Sequence, residues 1–182
     1  MDKSKREKCI LLGKSGSGKD YLMRKLVEKG LKGSLKMTTR PQRKNETHLV
    51  TYNFVNESTF TDKIKNDELI CYQTFNVTPE GKDPETWYYG LTKEEFENSQ
   101  VFIMTPGEFA NIDPITRKGC FVVYLDISRD IRESRLLRRQ DKNDSIKRRM
   151  DADEDDFLGF SDYDLKVTDH EFTADDIYDL MD

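Results

Sequence analysis

Two unbroken apolar runs stand out along the chain. Residues 9–12 read CILL, and residues 120–126 read CFVVYLD, in which only the final residue, Asp126, is charged. Short apolar runs without polar alternation are typical of strands that are buried on both faces of a sheet. We therefore predict that both segments are strands of a buried sheet, and that shorter strands lie at residues 101–104 and 163–167.

Helical spacing of apolar residues follows the first run and returns towards the end of the chain. A helix is predicted from Asp20 to about Gly30, with Leu22, Leu26 and Val27 on one side. Further helices are predicted at residues 58–66, from Thr92, at 109–112, from Ser128 to Arg139 with Ile131, Leu136 and Leu137 inside, from Asp144 or Ser145 to Phe157, and from Thr173 with Ile177, Leu180 and Met181 inside.

The middle of the chain shows a strand pattern instead. The turn signals at residues 78–85 predict that residues 69–91 form a hairpin. Because strands and helices alternate on either side of this β-rich segment, we predict an α/β fold over residues 1–182. It consists of a parallel sheet flanked by helices, with an inserted β-rich lobe. The strands predicted in this segment are residues 35–39, 48–55, 68–75 and 86–91.

Composition narrows the class of protein. The 182 residues carry a net charge of −5, and 36% of them are charged, which suits one soluble globular domain. We find no apolar run near the ~20 residues of a membrane span and no secretory signal. The three cysteines lack metal-binding spacing, so we expect reduced thiols in a cytoplasmic protein. The acidic balance argues against nucleic-acid binding, although basic residues cluster at 129–149, before an acidic run at 151–156.

The first strand leads directly into a glycine-rich segment, GKSGSGKD, at residues 13–20. Glycines allow several backbone N–H groups to point at a polyphosphate, and the helix that follows offers its positive end. Lys19 adds a mobile charge for the outer phosphates. A chance match is the alternative, which the preceding strand and following helix disfavour. The predicted ATP-binding residues are Gly13, Ser15, Gly16, Ser17, Gly18, Lys19 and Asp20.

Asp20 departs from the phosphate-loop pattern, which has Ser or Thr at this position. A hydroxyl there normally touches Mg²⁺, and a carboxylate is also a good oxygen ligand, although it brings a negative charge close to the phosphates. We predict that Asp20 binds the metal, directly or through water. The alternative is that it only caps the helix N-terminus.

Three further motifs resemble a known family. Within residues 37–54, MTTRPQRKNETHLVTYNF, the elements TTRPxR, Glu46 and TYNF resemble the guanylate kinase signature. YYG at residues 88–90 resembles a further motif of that family, and SIKRR at residues 145–149 resembles its lid helix. With the glycine-rich loop, they span nearly the whole chain in the family order. The resemblance implies a P-loop fold with a core of residues 1–34, 92–137 and 150–182, a nucleoside-monophosphate-binding (NMP-binding) lobe at 35–91 and a helical lid at 138–149.

The resemblance also implies a second anion site, in the lobe. Residues at four positions of the family hold the α-phosphate of the acceptor, and a glutamate belongs to the same loop. Arginine offers bidentate forks and tyrosine offers hydroxyl donors, which suits this chemistry. Taken alone, the two arginines would more often indicate a solvated loop. The four positions correspond to Arg40, Arg43, Tyr52 and Tyr89, and the glutamate to Glu46.

The resemblance assigns two arginines to the lid. Arg138 and Arg149 match by position the residues that close over the γ-phosphate and spread the charge of the transition state. An arginine-rich helix face is also common where a helix is simply solvated. Arg135, Arg139 and Arg148 are the rival positions.

The expected base pocket departs from the family. Cys71 aligns with the guanine-binding glutamate, and although it stays a predicted acceptor-binding position, a thiol cannot accept from two guanine donors as a carboxylate does. Lys36 and Leu91 replace two family serines. Around Pro106 no carboxylate lies where the family has an aspartate, and Glu108 is a candidate substitute. We expect a loosened or altered choice of base.

These motifs predict an enzyme that transfers the γ-phosphate of ATP, with Mg²⁺, to a nucleoside monophosphate. Positioning and electrostatics would supply the catalysis, through Lys19, Arg43, Arg138 and Arg149, while the lobe and lid close to exclude water. GMP or dGMP is the first expectation for the acceptor. A modified or different nucleotide, as in virus-encoded nucleotide kinases, is the second. We expect a monomer or homodimer that binds neither nucleic acid nor membrane.

A non-catalytic guanylate-kinase-like module that binds phosphorylated peptides is the alternative. The phosphate-binding loops of such modules are eroded, whereas this chain keeps Gly13, Gly18 and Lys19. The loop therefore favours an enzyme. A GTPase is disfavoured because no suitable NKxD-type sequence is present.

Overall fold

The computed structural model describes residues 6–43, 46–78, 83–139 and 146–181. These residues form two compact units, each with its own sheet. The first takes the described residues of Met1–Gly33, Gln100–Pro106 and Asp113–Asp182, and the second takes those of Ser34–Ser99 and Gly107–Ile112. Residues 92–99 and 107–112, expected in the core, therefore belong to the second unit.

Eight strands and eight helices are present in the described residues. In chain order they are β1 Lys8–Gly13, α1 Lys19–Glu28, β2 Met37–Thr38, β3 Asn53–Phe54, α2 Glu57–Lys65, β4 Leu69–Val77, β5 Glu85–Thr92, α3 Lys93–Asn98, β6 Val101–Ile103, α4 Pro106–Ala110, α5 Pro114–Lys118, β7 Cys120–Leu125, α6 Arg129–Arg139, α7 Ile146–Asp156, β8 Leu165–Val167 and α8 Ala174–Met181. None of these helices is long and apolar enough to cross a bilayer.

The sheet of the first unit is parallel throughout, with the order β6-β1-β7-β8. β1 and β7 are its central strands, as their unbroken apolar runs predict. α1 packs beside β1 and β6 and against α8. Because β1 runs directly into the glycine-rich segment, that segment lies at the carboxyl edge of the sheet. The core consists of Cys9, Leu11, Leu22, Leu26, Val101, Val123, Leu125, Ile127, Val167, Ala174, Ile177 and Met181.

Two predicted core residues of this unit are wrong. Leu137 is 61% exposed and Leu180 is 54% exposed. On α6 the inward line is instead formed by Arg132 and Leu136, which are one turn apart and both buried. Leu137 lies about 100° further round the helix and faces solvent.

The second unit has a mixed sheet with the order β3-β2-β5-β4, in which only β2 and β3 are parallel. Thr38 pairs with Tyr89, and Tyr89 pairs with Gln73, so these three side chains lie on the same face. Side chains at alternate positions along the same strands also lie on this face. Arg40 belongs to it as well, because its guanidinium contacts the rings of Tyr52 and Phe54. We call it the polar face, and it carries Lys36, Thr38, Arg40, Tyr52, Phe54, Cys71, Gln73 and Tyr89.

The opposite face of this sheet packs on α2. Met37, Phe60 and Leu69 form its buried core, and the ring of Tyr88 lies 5.3 Å from that of Phe60. Gly90 packs closely against Phe60, since a Cβ at this position would lie 2.7 Å from Cζ of Phe60. One face of this sheet therefore forms the core of the unit, and the polar face does not contribute to that core.

The predicted strand at residues 48–55 is wrong over most of its length. Only Asn53–Phe54 forms a strand, and residues 49–51 form a turn in which Leu49 has a φ of 61°. The strand predicted at 35–39 is shorter, and α5 was not predicted although Asp113 caps it. The predicted helix caps Asp144 and Ser145 and part of the turn at 78–85 lie outside the described residues. The β4–β5 hairpin is confirmed.

Candidate functional site

The glycine-rich segment forms a tight loop between β1 and α1. Gly16 and Gly18 have φ values of 78° and 106°, a region that residues with a Cβ rarely adopt. A Cβ on Gly16 would also lie 2.7 Å from the carbonyl oxygen of Arg132. The backbone path of this loop therefore requires glycine at both positions.

The ammonium of Lys19 folds back over the loop. Its Nζ donates to the carbonyl oxygen of Gly13 at 2.5 Å and to that of Lys14 at 3.1 Å. A phosphate carries a full negative charge, so it attracts this ammonium more strongly than a neutral carbonyl oxygen does. The ammonium is thus close enough to the loop to contact a polyphosphate bound there.

Two acidic side chains of α7 contact the same loop. The backbone N–H of Ser15 donates to Oδ2 of Asp153 at 2.7 Å. Glu154 forms an ion pair with Lys14 and accepts from Nη2 of Arg132 at 2.6 Å. Burial acts to raise the pKa of Glu154, but Lys14 and Arg132 outweigh it and hold the pKa below its usual value. The side chains of Asp153 and Glu154 therefore connect α7 to the glycine-rich loop.

Two arginines of α6 lie beside the loop. Nη1 of Arg135 donates to the carbonyl oxygens of Gly16 and Ser17 at 3.2 and 3.0 Å. Arg138 is exposed and lines a cavity of about 910 Å³ together with the loop and residues 169–175. A cavity of this size is in the range of nucleotide-sized ligands. Arg135 therefore supports the loop, whereas Arg138 borders the space in front of it.

Arg149 lies one turn before Asp153 on α7, so their side chains share a face of that helix. Because Asp153 contacts Ser15, this is the face that meets the glycine-rich loop. The rival Arg148 is exposed and points about 100° away from Arg149. The side chain of Arg139 lies outside the described residues. The structure thus places Arg149 on the same side of α7 as the loop contacts.

Asp20 is exposed in the first turn of α1, next to Lys19. The N-cap of this helix is Gly18, so the alternative assignment of Asp20 as the cap is wrong. Across the described ranges, no group of three or more His, Cys, Asp or Glu could hold a metal ion. Mg²⁺ that accompanies a triphosphate takes most of its ligands from phosphate and water. A single protein carboxylate is therefore a fitting donor set for it.

The predicted acceptor residues around Arg40 form one cluster. Its buried guanidinium binds Glu46 with two hydrogen bonds, of 3.0 and 2.7 Å, and Glu46 also accepts from the backbone N–H of Arg43 at 2.8 Å. The guanidinium carbon lies 5.6 Å from the ring centre of Tyr52, and the rings of Tyr52 and Tyr89 are 6.1 Å apart. The structure therefore brings together all five residues.

The charges of this cluster favour an anion. Burial acts to raise the pKa of Glu46, but the hydrogen bonds from Arg40 and Arg43 outweigh it and lower the pKa. Burial raises the pKa of Tyr89, and the nearby arginines offset only part of this effect, so the phenol is neutral at neutral pH. The cluster therefore combines two guanidinium groups with one carboxylate and the neutral hydroxyl of Tyr89, which suits a dianionic phosphate.

Cys71 lies two residues before Gln73 on the polar face. The thiol is buried, and burial raises its pKa to about 12, with a further rise from Glu108 that Lys36 partly opposes. A neutral thiol is a weak hydrogen-bond acceptor, so this position lacks the carboxylate chemistry that the family has there. Close to it, Lys36 and Glu108 form an ion pair with 2.5 Å between Nζ and Oε2.

Sequence reasoning missed the contacts of Asp153 and Glu154 with the loop. The acidic run at residues 151–156 shows only a charge cluster, and no local pattern separates these two residues from their neighbours. The pairing of Lys36 with Glu108 was also missed, although both residues were recognised as departures. They are 72 residues apart, and only the fold brings them together.

Comparison with known proteins identifies the family. A family model described as guanylate kinase matches residues 5–181. The chain belongs to the guanylate kinase family. A guanylate kinase of Nostoc sp. is 28% identical over 174 residues, which cover 91% of this chain and 83% of the relative. One from Hydrogenovibrio crunogenus is 30% identical over 173 residues, covering 90% and 80%.

A solved structure shares the fold. The crystal structure of guanylate kinase from Anaplasma phagocytophilum matches with a TM-score of 0.66 at 19% identity, covering 98% of this chain and 86% of that chain. The parallel sheet flanked by helices agrees with it, so the predicted P-loop α/β fold is confirmed. Membership of the guanylate kinase family confirms the resemblance seen in the sequence motifs.

Proposed function

We propose that this member of the guanylate kinase family transfers the γ-phosphate of ATP to GMP, dGMP or a related nucleoside monophosphate. One observation carries the proposal: each of the two units has a cluster of cationic and N–H donors, and the two clusters differ in chemistry. Backbone N–H groups and Lys19 in the first unit suit a polyphosphate chain. The cluster of Arg40 and Arg43 in the second unit suits a single phosphate.

The donor is held by the glycine-rich loop. Lys19 would exchange its contacts with the carbonyls of Gly13 and Lys14 for the outer phosphates of ATP. Arg138, beside the loop's cavity, and Arg149, on the loop-facing side of α7, would stabilise the charge that develops during transfer. In this proposal, residues 138–149 act as a lid that excludes water, so that ATP is not hydrolysed.

The acceptor phosphate is held by the second cluster. Hydrogen bonds to Glu46 and to the carbonyl oxygen of Pro41 orient the guanidinium of Arg40, and its remaining N–H groups would donate to the phosphate together with the guanidinium of Arg43. Tyr52 and Tyr89 add hydroxyl donors. The reaction needs no acid–base group with a shifted pKa, because positioning and charge stabilisation supply most of the catalysis in phosphoryl transfer.

Mg²⁺ is the implied cofactor. When bound with ATP, it would supply positive charge that neutralises the charge developing on the phosphates during transfer. Asp20 would supply one oxygen ligand to it, directly or through water.

The test is ADP release with ATP, Mg²⁺ and each common ribo- and deoxyribonucleoside monophosphate. We expect release that depends on the acceptor, and a fall of about 10²–10³-fold in kcat for Lys19→Met. Lys65→Met, an exposed lysine on α2, is the matched control and should leave kcat unchanged. No release with any acceptor, together with binding of phosphorylated peptides, would instead support the non-catalytic module.

A further inference from the structure

A buried ion pair lies on the polar face of the second unit. The side chains of Lys36 and Glu108 are 15% and 2% exposed, and their Nζ and Oε2 atoms are 2.5 Å apart. Burial acts to lower the pKa of Lys36, but Glu108 outweighs it and raises the pKa, so the ammonium stays charged. Buried ion pairs contribute little net stability, and apolar residues of similar volume often serve packing as well. A pair in this unit therefore suggests a role beyond packing.

The pair of Lys36 and Glu108 lies at a distance from the Arg40 cluster that one mononucleotide could span. Lys36 and Arg40 lie on either side of the strand Met37–Thr38 and are four residues apart, so the chain separates them by at most about 13 Å. This is comparable to the distance between the phosphate of a mononucleotide and the far edge of its base. Tyr52 lies against Arg40 and also acts electrostatically on Lys36, so it is near both ends.

The segment at residues 107–112 brings the carboxylate to this place. A Cβ on Gly107 would lie 3.3 Å from Nε2 of Gln73, and Nδ2 of Asn111 donates to the carbonyl oxygen of Tyr72 at 3.3 Å. These contacts hold the segment on β4. Glu108 is thereby close enough to raise the pKa of Cys71, the position where the family has a guanine-binding glutamate. A carboxylate from a different segment thus lies near the position where that glutamate is missing.

We propose that Lys36 and Glu108 together read the base of the acceptor and select guanine; this rests on the function proposed above. An ammonium beside a carboxylate presents one donor followed by two acceptors. Guanine presents the complement, with the O6 acceptor followed by the N1–H and 2-amino donors. Adenine and cytosine place an amino donor beside a ring-nitrogen acceptor, and uracil and thymine have an acceptor on each side of their N–H. Guanine alone among the common bases satisfies all three groups.

The test compares kcat/KM for GMP, IMP, AMP and UMP. IMP keeps O6 and N1–H but lacks the 2-amino group, so the GMP/IMP ratio measures one contact of Glu108. We expect the wild type to prefer GMP to IMP by about tenfold or more, as for one hydrogen bond to a charged group. In Glu108→Gln this ratio should fall towards one. Glu94→Gln, an exposed glutamate of α3, is the matched control and should keep the wild-type ratio.

Glu108→Gln leaves Lys36 buried without an anionic partner, which can cost folding stability. The double variant Lys36→Met/Glu108→Met removes both charges and covers this case. We expect it to fold, to lose the GMP/IMP preference and to bind inorganic phosphate at the Arg40 cluster as the wild type does.

Each outcome decides between the two proposals. An unchanged GMP/IMP ratio in both variants, an equal loss for all acceptors, or a wild-type preference for AMP or UMP over GMP would overturn the role of the pair. If the wild type releases no ADP with any acceptor, the proposed function fails, and calorimetric titration with guanosine and inosine then tests the pair alone. If guanosine binds more tightly than inosine and Glu108→Gln abolishes the difference, the role of the pair in reading the base is supported. Equal binding of both nucleosides would refute that role.

Discussion

The backbone N–H of Ser15 donates to Oδ2 of Asp153 at 2.7 Å, so a side chain 138 residues away holds the glycine-rich loop. Its neighbour Glu154 forms ion pairs with Lys14 and Arg132, and Arg132 is itself almost fully buried. The glycine-rich loop is therefore held in place by carboxylates of α7 as well as by local contacts.

We predict that Asp153→Ala lowers the stability of the protein. The lost hydrogen bond involves a charged acceptor, which is worth about 1.5–3 kcal/mol. For a chain of this size, each kcal/mol corresponds to about 2–4 °C in Tm. Thermal unfolding followed by circular dichroism should show this decrease. Asp155→Ala removes the same charge from an exposed neighbour, and equal Tm values for the two variants would contradict the prediction.

A second prediction concerns pH and the Glu46 carboxylate. Burial acts to raise its pKa, but Arg40 and the N–H of Arg43 outweigh it, so the pKa is lower in the folded state than in the unfolded state. The stability gained is present above the unfolded pKa of about 4.3 and is lost as pH falls through the folded pKa. Glu46→Gln should therefore be less stable than the wild type at pH 7, and this difference should shrink below about pH 4.

Urea unfolding at pH 7, 5 and 3.5 measures this difference. Glu133→Gln, which changes an exposed glutamate of α6, should show a small difference at every pH. A difference between the wild type and Glu46→Gln that stays constant from pH 7 to pH 3.5 would show that the carboxylate does not stabilise the cluster through its charge.

Local pattern was sufficient for the central strands and the loop between β1 and α1. The run at residues 9–12 has no polar position, so it could only be a strand or helix buried on all sides, and the glycines after it indicated a strand. The same reasoning failed at residues 48–55. There Val50, Tyr52 and Phe54 alternate with polar residues, which indicated a strand, but Leu49 and Val50 are exposed in a turn.

The parts of the candidate site that escaped prediction depend on partners distant in the sequence. Arg132 is buried because Glu154 and the carbonyl oxygen of Ile127 satisfy its guanidinium, and neither partner follows from helical spacing on α6. The pair of Lys36 and Glu108 requires the segment at residues 107–112 to fold onto β4. Such contacts are set by topology, which single-sequence patterns do not determine.

A third prediction concerns the sheet of the second unit. Gly90→Ala would place a Cβ 2.7 Å from Cζ of Phe60 and 3.2 Å from Cβ of Tyr72. Overpacking of this kind costs about 1–3 kcal/mol, because the ring and the strand must shift. Gly119→Ala is the control, since the nearest atom to its Cβ is 3.4 Å away and its φ is −77°. Chemical denaturation should show a loss for Gly90→Ala alone, and equal free energies of unfolding for the two variants would contradict the contact.

The last prediction concerns Asp20 and Mg²⁺. A carboxylate is a stronger ligand for Mg²⁺ than the hydroxyl that phosphate-binding loops usually have at this position, and without the metal its charge repels the triphosphate. We expect Asp20→Ser to need about tenfold more Mg²⁺ for half-maximal turnover, which corresponds to about 1.4 kcal/mol, with a similar maximal rate at saturation. Asp62→Ser, on the exposed side of α2, controls for the loss of a carboxylate elsewhere. Magnesium titrations of ADP release at fixed ATP give the comparison. If the curves of the wild type and Asp20→Ser coincide, Asp20 does not bind the metal, and its charge in the first turn of α1 serves only the helix.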